Sequence, residues 1–197
     1  MRWQSADLQT TRMTQTSIKD VPAMTSTRLG LISGLVASLV ISGLAAPALA
    51  QEATNLGTFN AWTAWKGIDA NGEMCYISSQ PRETAPEGVT RSPIHFLVIH
   101  RKGLGTKNEV QTLIGYPFNT TNANASATID GKAYPMVTEG EAAWLASAGD
   151  ETGFVAGLKA GSRLVVRGTS QRGTETTDTY SLSGVTAAMG EIDKACA

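Results

Sequence analysis

The 197-residue sequence has little charge and few metal-binding side chains. Charged residues make up 17% of it, below the share of about a quarter that is usual in globular proteins. The net charge of −1 excludes a strong general attraction to nucleic acid. Two cysteines cannot build a disulfide-rich scaffold or an all-cysteine zinc site. The length suits one domain, and a hydrophobic content of 42% excludes a disordered tail.

Motifs for catalysis and cofactor binding are also missing. The sequence contains no G-x-S-x-G nucleophile elbow and no C-x-x-C pair. Gly103 and Gly105 form a lone G-x-G, without the third glycine of a phosphate loop. His95 and His100 lie five residues apart in a predicted strand, so they point to opposite faces and cannot bind one metal ion together. We therefore expect no enzyme activity, no cofactor and no metal, although paired carboxylates can still meet in the fold.

The first 50 residues have the pattern of a secretory signal peptide. Arg28 precedes a charge-free apolar stretch over residues 29–46, and Ala48-Leu49-Ala50 has the small-x-small form that signal peptidase cleaves. We expect cleavage between Ala50 and Gln51, which leaves no stable membrane span. The alternative is an uncleaved membrane helix, since the stretch just reaches the roughly 18 residues needed to span a bilayer. Both interpretations place residues 51–197 outside the cytoplasm, in the periplasm or secreted.

The stretch before Met24 is unusual for a signal peptide because it is polar and has no apolar period. Met24 followed by Thr25-Ser26-Thr27-Arg28 makes a more ordinary beginning. We therefore expect translation to start at Met24. Removal of residues 1–50 leaves 12 basic and 15 acidic side chains, so the mature region is a mildly acidic single domain over 51–197.

The mature region predicts a mostly β fold, either a β-sandwich or a barrel-like antiparallel sheet. Short apolar runs predict strands at residues 59–65, 75–78, 94–100, 110–116, 125–129, 132–137, 142–145, 163–167 and 176–182. Asp130-Gly131, between two of these runs, is a strong hairpin signal. Loops or turns are expected at residues 81–92 and 102–108.

Two helices are expected among these strands. The first covers residues 151–160, with three apolar side chains on one face and Gly161 after its end. The second is expected to be capped by Ser183 and to run to about Ala195. Its apolar residues recur with the helical period and predict a stripe that packs on the sheet: Val185, Ala188, Met189, Ile192 and Cys196.

Cys75 lies in an early strand, and Cys196 lies on the apolar stripe of the last helix. Two such thiols are expected to form a disulfide in an oxidising compartment. The bond would close a loop of 121 residues, and the lost entropy of the unfolded chain gives somewhat under ~5 kcal/mol of stabilisation. The alternative is two separate buried thiols.

Four aromatic residues, Trp62, Trp65, Tyr116 and Trp144, have two interpretations. They could line a sugar-binding face, but aromatic residues in strands more often belong to the core. The basic side chains are dispersed along the chain and balanced by acids, which favours a solvated surface.

From Cys75 onward the sequence resembles the invasion-associated locus B family, small exported proteins of α-proteobacterial type. The matching stretches occur in the family's order after a signal peptide: Cys75–Pro81, Gly115–Phe118, Thr128–Gly131, Arg172–Thr174 and Thr177–Ala188. The resemblance implies a periplasmic or outer-envelope protein, in some relatives linked to entry into host cells. It implies no defined catalytic residues. Some members hold more cysteines, so no disulfide beyond the one above is expected here.

Two functional hypotheses remain open from the sequence. The first is a non-enzymatic envelope protein that binds another protein or surface component, which predicts an exposed apolar or aromatic patch. The second is a hydrolase or binding module that acts on the cell wall or on glycans, which predicts a cleft with clustered carboxylates or stacked aromatics. The missing nucleophile and metal motifs favour the first hypothesis.

Overall fold

The computed structural model describes residues 53–197. The expected signal peptide, the cleavage site at Ala50 and Gln51, and the expected start at Met24 lie outside the described residues. Eleven strands and two helices follow in chain order: β1 Thr54–Phe59, β2 Trp62–Asp69, β3 Gly72–Ser79, β4 Glu83–Ala85, β5 His95–Arg101, β6 Thr106–Leu113, β7 Ser126–Ile129, β8 Lys132–Glu139, β9 Ala142–Leu145, α1 Glu151–Ala160, β10 Arg163–Thr169, β11 Glu175–Ser181 and α2 Val185–Ala195.

All strand pairs are antiparallel, in the order β1-β2-β3-β5-β6-β9-β8-β7-β10-β11-β4. The sheet is open and folds over on itself at β8, whose first half pairs with β7 and whose second half pairs with β9. The two layers meet in the core, where the ring of Phe96 on β5 lies 5.8 Å from that of Tyr180 on β11. The predicted mostly antiparallel, sandwich-like fold with two helices is confirmed.

Both helices pack on the layers through the residues that the sequence indicated. In α1, the ring of Phe154 lies 4.9 Å from Tyr134 and 5.9 Å from Phe96, and Val155 and Leu158 are buried beside it. The helix begins and ends where the sequence predicted. In α2, the predicted apolar stripe is buried against β1, β2 and β3.

The local turn chemistry explains the hairpin between β7 and β8. Asp130 and Gly131 have φ values of 44° and 95°, the left-handed pair that a two-residue hairpin needs. The Asp130 carboxylate also accepts hydrogen bonds from the backbone N–H groups of Ser162 and Arg163. This hairpin therefore fixes the entry to β10 as well as its own two strands.

Two local predictions are wrong at the beginning of the domain. The expected strand 59–65 is interrupted, because Asn60 has a φ of 51° and turns the chain between β1 and β2. Ser183 does not cap α2: Gly184 takes the N-cap position with a φ of 96°. The Ser183 hydroxyl instead accepts a hydrogen bond from the Asn60 amide at 3.0 Å. This hydrogen bond connects the β1–β2 turn to the residue that precedes the N-cap of α2.

Two predicted loops contain more structure than expected. The segment 81–92 includes the short strand β4, whose backbone pairs with β11. The segment 102–108 includes the beginning of β6, after a single 3-10 turn at Lys102–Leu104. Within residues 53–197, no helix is long and apolar enough to cross a membrane.

Candidate binding surface

The two cysteines come together between the sheet and the end of α2. Cys75 on β3 and Cys196 are buried, their Cα atoms are 5.9 Å apart, and their sulfurs are at disulfide distance. This Cα separation is typical of a disulfide. The two cysteines are 121 residues apart in sequence. Their contact joins β3, near the beginning of the domain, to the end of α2.

His100 makes a second connection to α2. Its Nδ1 accepts a hydrogen bond from the Asn108 backbone N–H at 3.2 Å, so in the neutral ring the proton sits on Nε2. Nε2 then donates to Asp193 Oδ1 at 2.9 Å. His100 is buried in a structural role. His95 points to the other face of β5, as the spacing predicted, and within residues 53–197 no three His, Cys, Asp or Glu side chains cluster as metal ligands would.

A buried ion pair fixes the loop between β4 and β5. Arg91 donates two hydrogen bonds to the carboxylate of Asp178, at 2.9 and 2.5 Å, and both side chains are almost fully buried. Burial alone would lower the pKa of the Arg91 guanidinium, but hydrogen bonding and charge from Asp178 outweigh it and raise that pKa. The bidentate geometry gives the loop one defined position.

A cleft of about 580 Å³ opens above this ion pair. Tyr116 lies beside Arg91, and its hydroxyl shares a hydrogen bond of 2.7 Å with that of Thr176. Burial raises the pKa of Tyr116. Glu141 supplies the one carboxylate of the lining, whereas glycoside hydrolysis uses a pair. Two of the stretches that carry the family resemblance, those around Tyr116 and Arg172, meet at this cleft.

The larger layer has an open face, which we define as the outward-pointing residues of β2, β3, β5, β6, β9 and β8. One row of cross-strand partners runs across it, and the row contains both polar and apolar side chains: Thr63, Ser78, Leu97, Gln111, Trp144 and Val137. Leu97 and Trp144 are half-buried, and Val137 is 54% exposed. Trp144 and Val137 are direct cross-strand partners and form an apolar patch, and Gln111 separates this patch from Leu97.

A pair of aromatic rings lies in the next row of the open face. Trp65 and Tyr76 are cross-strand partners, with ring centroids 6.3 Å apart and planes inclined by 18°. The Trp65 indole N–H donates to Ser78 Oγ at 3.0 Å, which fixes the ring orientation. Burial raises the pKa of Tyr76. A second depression of about 580 Å³ borders Trp65, and its other lining residues are mostly polar: Asn60, Ala61, Thr63, Ser78, Ser79, Gln80, Arg82 and His95.

The four aromatic residues singled out in the sequence do not share one surface. Trp62 is buried and donates its indole N–H to the Ser181 carbonyl at 2.9 Å, and Tyr116 is also buried. Trp65 and Trp144 lie on the open face. The core interpretation therefore fits the first two residues, and a binding interpretation remains for the last two.

Sequence reasoning missed Arg91, Asp178 and Tyr76. Arg91 lies in a segment without periodicity, so nothing in the sequence marked it. The position of Asp178 could have been recognised from the sequence. Thr176, Asp178 and Tyr180 occupy every second position of a predicted strand and therefore point to the same, inward face. A charged residue at a core position requires a partner, which here is Arg91.

One protein family matches this chain by sequence, and a solved structure shares its fold. A family model described as "Invasion associated locus B (IalB) protein" matches residues 66–193. Among solved structures, the crystal structure of invasion associated protein B from Bartonella henselae is similar, with a TM-score of 0.50 and 13% sequence identity over 72% of this chain and 97% of that chain. At that identity the structural similarity concerns the fold alone. No curated protein sequence gives a significant match.

Proposed function

The chain belongs to the invasion associated locus B family, and from this premise we propose that it is an exported, non-enzymatic protein of the cell envelope that binds a protein partner through the open face of its larger layer. Residues 1–50 act as its signal peptide, cleaved between Ala50 and Gln51. Residues 51–197 then fold as one domain in the periplasm or outside the cell. The disulfide between Cys75 and Cys196 forms after export, where thiols are oxidised.

The apolar patch of the open face carries the binding part of this proposal. Trp144 and Val137 are cross-strand partners on β9 and β8, and Leu97 lies in the same row beyond Gln111. Exposed apolar patches of this kind are typical of protein-binding surfaces. Tryptophan residues often dominate the binding energy of such surfaces, so Trp144 is the expected centre of the interface.

The lining of the two depressions supports a role without catalysis. The cleft above Arg91 contains one carboxylate, Glu141, and the depression beside Trp65 contains none. Most hydrolases of glycans use two carboxyl groups that face one bond. The pKa of Tyr116 in the cleft is raised, which disfavours its use as a base at neutral pH.

Site-specific crosslinking in intact cells tests this function. A photoreactive amino acid is placed at Val137, on the open face, or at Arg167, which is exposed on β10 in the other layer. We expect a discrete crosslinked protein from position 137 and not from position 167. The product should disappear in the Trp144→Ser background and persist with Leu104→Ser, a change at an exposed apolar residue away from the patch. Identical products from both positions would contradict the proposal.

A further inference from the structure

The depression beside Trp65 combines a flat aromatic surface with neutral polar groups. The Trp65 ring lines the depression, and the hydrogen bond from its indole N–H to Ser78 Oγ fixes its orientation. Tyr76 supports Trp65 from the neighbouring strand but does not line the depression. The exposed side chains of Asn60 and Gln80 line the same depression and offer amide donors and acceptors. Aromatic rings pack against the C–H groups of a sugar ring, and amides exchange hydrogen bonds with its hydroxyl groups. This combination fits a saccharide better than an apolar ligand.

The ionisable side chains of this depression are all basic. Arg82 and His95 are its titratable residues, and its lining contains no aspartate or glutamate. Arg82 takes part in none of the ion pairs within residues 53–197. The carboxylates of Asp69, at the end of β2, and Glu109, within β6, are both bound to Arg101. Arg163, Arg167 and Arg172 are likewise absent from these ion pairs, and Arg82 is the arginine that lines this depression.

We propose that this depression is a binding site for an acidic oligosaccharide. One sugar ring packs on Trp65, the amides of Asn60 and Gln80 bind hydroxyl groups, and Arg82 binds a carboxylate of the ligand. The lining has no carboxyl pair, so the saccharide is bound and not hydrolysed. The site lies on the open face beside the proposed protein-binding patch, but it uses different residues and does not depend on that function.

Calorimetric titration with trigalacturonic acid tests the site, on protein purified from cells that express the full chain. The fully methyl-esterified trisaccharide has the same rings without the charge and is the matched control ligand. We expect the acid to bind and the ester to bind more weakly. Arg82→Gln should abolish this difference, whereas Arg167→Gln, at an exposed arginine of the other layer, should preserve it. Equal binding of both ligands to the wild-type protein, or binding of neither, would overturn the proposal.

Variants of Trp65 test the ring contact. Trp65→Ala should weaken binding of the acid by about tenfold, the loss typical of one aromatic contact, and Trp65→Phe should retain most of it. Nuclear magnetic resonance of the wild-type protein gives a readout that needs no folded variant, because the indole N–H signal of Trp65 should shift on titration while that of buried Trp62 should not. Unchanged Trp65 signals at saturating ligand would refute the assignment. The two proposals can fail separately. If the saccharide binds but position 137 gives no crosslinked protein, the saccharide site stands and the protein interface is refuted.

Discussion

Cys75 and His100 are direct cross-strand partners on β3 and β5, and each contacts the C-terminal segment. The sulfur of Cys75 lies at disulfide distance from that of Cys196, and the ring of His100 donates a hydrogen bond to Asp193. The cysteine pair and a polar contact therefore lie at the same point of the sheet and involve the same end of α2. The end of a chain commonly frays, and we expect these two neighbouring residues to oppose fraying here.

The first prediction concerns the thiols. Protein purified without reductant and then unfolded should show no thiol that reacts with a labelling reagent. Reduction should lower the free energy of unfolding by up to about 5 kcal/mol, because the closed loop restricts the unfolded chain. Denaturant unfolding with and without reductant measures this change. Two reactive thiols in the unreduced protein would contradict the pairing of Cys75 with Cys196.

The second prediction concerns the polar contact of α2. Asp193→Ala leaves the buried Nε2–H of His100 without its acceptor, and a loss of about 1–2 kcal/mol is expected. Asp193→Asn should cost less, because the amide oxygen still accepts the hydrogen bond. Glu191→Ala is the control on the same helix: it removes an exposed ion pair with Lys194, which contributes at most about 0.5 kcal/mol. Urea unfolding of the three variants compares them, and equal losses for Asp193→Ala and Glu191→Ala would refute the role of His100.

The third prediction concerns the buried ion pair. Arg91→Ala should destabilise the domain by about 3–5 kcal/mol, because it leaves the carboxylate of Asp178 buried without its partner. The double variant Arg91→Met with Asp178→Leu should recover most of that loss, since no charge then remains in the core. Thermal unfolding measures both. A double variant as unstable as Arg91→Ala would show that the loop position, and not the unpaired charge, determines the stability.

The elements that the sequence predicted well depend on local signals. The Asp130-Gly131 turn and the helix over 151–160 are determined by a few neighbouring residues, and both were located correctly. The failed strand 59–65 was also a local problem: Asn60 turns the chain, but it is followed by Ala61, which is not a turn-forming residue. A one-residue shift in a strand exchanges its two faces, so the sequence could not tell that Trp62 points inward and Trp65 outward.

The features of the site that could not be predicted depend on distant parts of the chain. Arg91 and Asp178 are 87 residues apart, and the loop of Arg91 has no periodic pattern that fixes its place. The role of β8 in joining the two layers follows from the pairing of its two halves with different strands, which hydrophobic alternation does not specify. Within residues 53–197, Trp144 is only half-buried and Val137 is exposed on the open face, and a strand pattern alone does not show which of its two faces is covered.

The fourth prediction compares two glycines at α2. Gly184 has a φ of 96°, and a Cβ atom there would collide with the carbonyl of Phe59, so Gly184→Ala should destabilise the domain by about 2 kcal/mol or more. Gly190 lies inside the helix, and a Cβ atom there would meet no other atom within 4 Å. Gly190→Ala should therefore stabilise by about 0.5–1 kcal/mol. Opposite signs in chemical unfolding are expected, and a neutral Gly184→Ala would contradict the close contact between the β1–β2 turn and α2.

The fifth prediction links export to the state of the cysteines. Protein in the envelope or culture fraction should begin at Gln51, as measured by mass spectrometry of its N-terminal peptide. Ala50→Asp should block cleavage, because signal peptidase requires a small residue before the cut, while Ala53→Asp, beyond the cut, should leave it unchanged. Any precursor trapped in the cytosol should hold two reduced thiols and the processed protein none, since the two compartments differ in redox state. A full-length, cytosolic and fully oxidised protein would contradict both the signal peptide and the order in which export and disulfide formation are proposed to occur.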